Sequence, residues 1–137
     1  MTKRGAKVII ACRDMSKAKT AVEDIKKASG CNNVYMVQLD LASFKSIRQC
    51  AEDINRTEKR LDILVNNAGV MMCPHRLTED GIEMQFGTNH VGHFLLTMLL
   101  LDLIKKSAPS RIINVSALGH TFTGPLDFND IVKREKS

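Results

Sequence analysis

Tryptophan is missing from the 137 residues, tyrosine occurs once and phenylalanine five times, so aromatic side chains make up only 4% of the chain. Proteins that bind nucleic acid by base stacking interleave aromatic rings with clustered Lys and Arg. Here the basic residues are scattered over helix-like segments and the ring nearest them is Tyr35. They read as solvated helix faces, and no nucleic-acid partner is expected. Long apolar runs are missing as well. The longest nearly uncharged one, Phe94 to Leu101, is far short of the ~20 residues that span a bilayer. The start, Met1-Thr2-Lys3-Arg4-Gly5, is basic, but no apolar h-region follows it, which excludes the signal-peptide pattern. Proline occurs three times and no repeat or low-complexity stretch is present, so nothing resembles a linker. The four cysteines, Cys12, Cys31, Cys50 and Cys73, are spaced by 19, 19 and 23 residues without a C-x-x-C pair. That spacing gives neither a zinc site nor a redox motif, and the four read as buried or half-buried thiols in a reducing compartment. The chain as given is expected in the cytoplasm, with the endoplasmic reticulum or another membrane surface open to a longer form carrying an N-terminal anchor.

What is present is the composition of a soluble globular domain, 44% hydrophobic and 26% charged. A chain of this length buries roughly two thirds of its unfolded surface. The net charge of +5 is unevenly placed: residues 1–60 carry 13 basic and 7 acidic side chains, residues 61–137 carry 7 and 8.

The run Ala6 to Cys12 is short and β-branched, as in a buried strand. Asp14 or Ser16 then caps a helix whose apolar positions are Ala18, Ala21, Val22, Ile25 and Ala28, closed by Gly30. Val34 to Leu39 is a second strand. Ser43 caps a helix in which Phe44, Ile47, Cys50, Ala51 and Ile54 recur at helical spacing. Leu61 to Val65 is a third strand, and a polar loop from Met71 to Asp80 leads to a long helix from about Ile82 to Lys105. Arg111 to Val115 is a fourth strand, followed by a loop-like tail with Pro125. The order β-α-β-α-β-α-β predicts an α/β fold with a doubly wound parallel sheet and right-handed crossovers. Ligands of such sheets bind at the carboxyl ends of the strands.

Those ends are polar or small. Arg13 could hold a phosphate bidentately or be a surface arginine. Asp40 could accept from an amino group on a base or cap the helix near Ser43. Asn66-Asn67-Ala68-Gly69 lets backbone approach a flat ligand closely, or forms a plain turn. Ser116 could orient a polar group or end a turn.

Together, Ala11-Cys12-Arg13-Asp14, Asp40-Leu41, Asn66-Asn67-Ala68-Gly69, Asn89 and Ile113-Asn114-Val115-Ser116 have the order and spacing of the short-chain dehydrogenase/reductase family. The wording of Val8 to Asp14 and of Asn89-His90-Val91-Gly92-His93-Phe94-Leu95-Leu96-Thr97 resembles its retinol dehydrogenase branch. The resemblance implies a Rossmann-type fold and an NADP(H)-dependent oxidoreductase acting on retinol, retinal or another lipophilic alcohol or carbonyl compound. It also implies roles position by position. Arg13 pairs with the 2′-phosphate of NADP(H). Asp40, with Leu41, contacts the adenine, and Asn66, Asn67, Ala68 and Gly69 form the wall beside the adenosine ribose. Ser116 is the catalytic serine that hydrogen-bonds the substrate oxygen, and the Asn89 backbone carbonyl helps hold a water for a proton relay. In the family a tyrosine moves the proton and a lysine lowers its pKa.

Two elements of the family pattern are missing. No T-G-x-x-x-G-x-G turn, which receives the pyrophosphate, lies upstream of Lys7; Lys3-Arg4-Gly5-Ala6 looks like the end of the helix that follows it. No Y-x-x-x-K follows Ser116, Tyr35 lies more than 80 residues upstream, and Lys133 and Lys136 have no tyrosine partner. The expectation is one partial NAD(P)-binding Rossmann domain over residues 1–137, with little or no turnover as given, the middle of a fold of roughly 250 residues or more. In the sheet order 3-2-1-4-5 the missing first strand is central. Its neighbours then have facing edges about 10 Å apart, twice the ~4.8 Å strand spacing, which either re-pair or stay open.

Three further features leave alternatives. His90 and His93 lie three apart without a third ligand, and read as structural or interface histidines rather than a metal site. The stripe Phe94, Leu95, Met98, Leu99, Leu101 serves the core or, as in related enzymes, a dimer interface. Met71 and Met72 line a hydrophobic channel or fill a packing gap. The rival to a catalytic reading is a truncated, non-catalytic interaction protein pairing with a full-length relative through the Ile82–Lys105 helix.

Overall fold

The structure, a computed structural model, describes residues 1–121. Pro125, Lys133 and Lys136 of the expected tail lie outside them. The elements run β1 (Val8–Cys12), α1 (Met15–Ser29), β2 (Val34–Gln38), α2 (Phe44–Thr57), β3 (Ile63–Asn66), α3 (Met84–Phe86), a π-helical turn (Gly87–Val91), α4 (Gly92–Lys106) and β4 (Arg111–Asn114), with short 3₁₀ turns at Thr2–Arg4 and Leu118–Thr121. Among the described residues both strand pairs are parallel, as the alternation of strands and helices requires, and a single antiparallel bridge joins Leu77 to Glu83.

Local chemistry sets the boundaries. The Asp14 carboxylate accepts from the amides of Ser16 and Lys17 and caps α1, and Gly30, at φ 67°, ends it. Ser43 caps α2 by accepting from the Ser46 amide. Asp80, reaching back from the loop before α3, accepts from the Phe44 amide at 2.8 Å and satisfies a second free donor of the same turn. The first strand starts at Val8 rather than Ala6 because Gly5, at φ 81°, closes the preceding 3₁₀ turn and turns the chain.

The long helix expected from about Ile82 to Lys105 is present but not regular. It opens at Met84, capped by both carboxylate oxygens of Glu83. It then passes through the π turn, in which the Gly92 amide bonds to the Gly87 carbonyl five residues back. The extra residue accommodates two close approaches. A Cβ on Gly87 would lie 2.7 Å from the Thr78 methyl, and one on Gly92 would run into the Leu41 carbonyl oxygen.

The core lies between α2 and α4. Leu39, Leu41, Ile47, Cys50, Ala51, Leu96, Leu100 and Ile104 are buried together, with Val37 and Leu64 packed against them from the strands. Ile47 and Leu100 have no exposed surface. Burial, reinforced by Asp53, pushes the Cys50 thiol up to about 11. On the other side of β1 and β2, α1 brings Ala18 and Val22 into contact. All four cysteines are free thiols, Cys50 buried and the other three half-buried.

The sheet is where the expectation of buried strands fails. β1 pairs only with β2, and β3 only with β4, so the described residues form two two-stranded sheets whose β1 and β3 edges have no ladder partner. The gap has not re-paired. Because side chains alternate along a strand, Ile63, Val65, Ile113 and Val115 share one face of the second sheet. All four are exposed, since no described element packs over them. Of the surface charge, Lys7 bonds both carboxylate oxygens of Glu58 at 2.7 Å and sits 4.8 Å from the Tyr35 ring centroid. Arg60 forms a forked pair with Asp62, which holds that carboxyl below its ordinary range and the guanidinium above its own.

Candidate functional site

A cleft of about 360 Å³ opens where β3 and β4 end against the helix, lined by Asn66, Asn114, Val115, Ser116, His93 and Thr97 together with Asn89, His90 and Phe94. The parallel register puts Asn66 beside Asn114, so two amide side chains share one edge of the cleft. Asn66 Nδ2 donates to Asn114 Oδ1 at 2.8 Å and to Thr97 Oγ1 at 3.0 Å, tying β3, β4 and α4 at one point. The Asn66 side chain is therefore buried in a seam, and its Oδ1 is left without a partner. An orphaned buried acceptor costs about 1–3 kcal/mol, the desolvation of that oxygen in the seam.

The Asn67–Gly69 segment beside the cleft is exposed but not loose. The Asn89 side chain makes a reciprocal pair with Val70, donating to its carbonyl and accepting from its amide at 2.8 Å each. His93 Nε2 meets the Ala68 carbonyl at 2.8 Å. A Cβ on Gly69 would lie 3.4 Å from Asn89 Oδ1, an ordinary van der Waals contact, so the segment passes close to the Asn89 side chain. Two of the residues that sequence reasoning put together, Asn89 and Ser116, do face one cleft with Asn66. Arg13, Asp40 and Leu41 do not line it; they stand at the ends of β1 and β2.

At those ends, Arg13 is exposed and its guanidinium has no ion pair or hydrogen bond among the described residues. Its neighbour Asp14 spends its carboxylate on the first turn of α1. Asp40 accepts from the Ala42 amide through Oδ1, and its own amide donates to Ser46 Oγ, so it shapes the turn into α2. The Leu41 side chain is in the core, which leaves only its backbone to face a ligand.

Sequence reasoning missed the cleft roles of His93, Thr97 and Asn114. A signal was available for the first two: Asn89, His93 and Thr97 repeat at four-residue spacing on a helix otherwise dominated by apolar residues, which aligns them on one face. His90 instead stacks on Phe86, with ring centroids 5.3 Å apart. Among the described residues no three His, Cys, Asp or Glu side chains converge to hold a metal, and no helix is long and apolar enough to cross a membrane. Met71 and Met72 fill no packing gap, being 79% and 87% exposed in the loop beyond Val70.

Comparison with known proteins gives a consistent picture. Residues 1–125 match the family model described as short chain dehydrogenase. The chain is 57% identical over 131 residues to human retinol dehydrogenase 13, covering 96% of this chain and 39% of that protein. It is 51% identical over 131 residues to mouse retinol dehydrogenase 11, covering 96% and 41%. It thus spans about two fifths of the length of these relatives. Among solved structures, an uncharacterized protein from Mycobacterium paratuberculosis superposes with a TM-score of 0.81 at 36% identity, over 99% of this chain and 46% of the other. The NADP active-site complex of RhlG from Pseudomonas aeruginosa superposes with a TM-score of 0.65 at 29% identity, over 85% and 46%.

Proposed function

The chain belongs to the short-chain dehydrogenase family, in its retinol dehydrogenase-like branch, and we propose that residues 1–137 form one partial nicotinamide-dinucleotide domain that selects NADP(H) and serves the oxidation or reduction of a small lipophilic alcohol or carbonyl compound, such as retinol or retinal. The observation that carries this reading is the convergence of Ser116, Asn89 and Asn66 on one cleft beside the fastened Asn67–Gly69 segment.

The residues present fit such a cofactor. The unpaired Arg13 guanidinium is free to take a 2′-phosphate bidentately. Asp40 keeps a carboxylate oxygen for an amino group on the base, the Leu41 backbone adds to that contact, and Asn67, Ala68 and Gly69 offer a flat backbone wall beside the ribose. When bound, the nicotinamide supplies the hydride exchange with the substrate carbon. Ser116 hydrogen-bonds the substrate oxygen and orients it. Asn89, its side chain spent on Val70, acts through its backbone carbonyl on a water. The only tyrosine of the sequence, Tyr35, is on β2 under Lys7, so no tyrosine acid/base stands at Ser116. A missing acid/base removes about 10²–10⁴ in rate, and turnover by the purified 137 residues is expected to be negligible.

The test is an NMR titration of purified residues 1–137 with NADP+ and NAD+, alongside a retinal-dependent NADPH oxidation assay. NADP+ should shift the amides around Arg13 and Asp40 at concentrations where NAD+ does not, and Arg13→Gln should erase the difference. Equal responses to the two dinucleotides would overturn the NADP(H) assignment, and NADPH oxidation lost in Ser116→Ala would overturn the expectation of negligible turnover. A second reading, non-catalytic pairing with a full-length relative through α4, is favoured by the 61% exposure of Phe94 and 51% of Met98. Mixing the same preparation with such a relative on a sizing column decides it: co-elution lost on Met98→Asp supports pairing, and separate elution dismisses it.

A further inference from the structure

We infer that His93 is a positioning residue: its Nε2–H holds the Ala68 carbonyl, and with Asn89 it fastens the Ala68–Val70 backbone to the helix beside the cleft. The inference rests on the ligand reading above for its consequence, but the fastening itself stands on the geometry. A backbone carbonyl only accepts, so the 2.8 Å contact between Ala68 O and His93 Nε2 puts a ring proton on Nε2, which in the neutral ring leaves the lone pair on Nδ1. That Nδ1 is buried and has no hydrogen-bond partner, like Asn66 Oδ1 in the wall of the same cleft.

The spacing explains why the two side chains work as a unit. Asn89 and His93 are four residues apart, about 6 Å along a helix axis. Two residues of extended chain, from Ala68 to Val70, reach about 6.6 Å. One residue lies in the π turn and the other in the first turn of α4. Together they make three hydrogen bonds to a segment of three residues, two to Val70 and one to Ala68.

The test uses ¹⁵N-labelled residues 1–137. Side-chain nitrogen spectra of the unaltered chain should show the Nε2–H tautomer of His93. His93→Leu should speed exchange of the Val70 amide about fivefold, the loss of one hydrogen bond, and weaken NADP+ binding by a similar factor. His93→Gln, which restores a donor within reach of Ala68, should return Val70 exchange to within about twofold. An Nδ1–H tautomer, unchanged Val70 exchange in His93→Leu, or failure of Gln to rescue would overturn the proposal. Should His93→Leu not fold, the tautomer of the unaltered chain decides alone. Should the unaltered chain not bind NADP+, the nicotinamide reading fails while the tautomer and exchange results still judge the fastening.

Discussion

The helix side of the molecule and the outer face of β3–β4 are made of the same kinds of residue. Ile47 and Leu100, between α2 and α4, have no exposed surface, whereas Val65, Ile113 and Val115 are 43%, 41% and 55% exposed. Hydrophobicity is therefore not what separates them. A helix buries its apolar stripe when a second helix lies against it, and a sheet face needs the same second layer. On the helix side α4 supplies the layer for α2; over the outer face of β3–β4 no described element does. Stability should be concentrated accordingly, on the side away from the open sheet.

The contrast can be broken most sharply at its buried pole. Leu100→Ala removes a fully buried side chain from the α2–α4 seam and should cost about 2–5 kcal/mol in urea unfolding. A loss under about 1 kcal/mol would mean that the seam is not the stability centre. Alkaline pH probes the same seam through Cys50. An unfolded chain releases that proton near 9.0, whereas the folded thiol holds it to about 11. The contribution is complete below pH 9 and declines as pH rises towards 11, by about 2–3 kcal/mol in all. Unfolding midpoints measured at about pH 8 and about pH 10.5 should show the decline, and Cys50→Ala should lack this part of it. The smallest effect belongs to the open face. Val65→Thr with Ile113→Thr should change stability by no more than about 0.5 kcal/mol while lowering self-association in light scattering. A large stability loss there would reveal a covering layer over the face.

Much of this was legible in the sequence because it depends on neighbours close along the chain. The Asp14 and Ser43 caps, the Gly30 stop, the four strands and the parallel order follow from local patterns and appear within one or two residues of where those patterns put them. The polar strand ends also announced themselves. What did not show was settled by contacts between distant elements. The π turn answers to Leu41 and Thr78 pressing on Gly92 and Gly87. The Asn66 side chain turns into the seam because Thr97 and Asn114 meet it there. The strands read as buried because Val, Ile and Leu follow one another, yet burial depends on a covering layer that no strand specifies for itself.

The hydrogen bond between Asn66 and Asn114 also has a bearing on how the chain assembles in time. It joins residues 48 apart, whereas the first parallel pair already meets at Val8 and Val34. Closing the longer loop costs only about 0.5 kcal/mol more entropy, so what orders the two events is mainly the direction of synthesis. A chain emerging N-terminus first can complete the β1-α1-β2 unit while β4 is still unmade. The two strand pairs are then successive products of elongation, and the cleft between β3, β4 and α4 comes into being after the β1-α1-β2 unit.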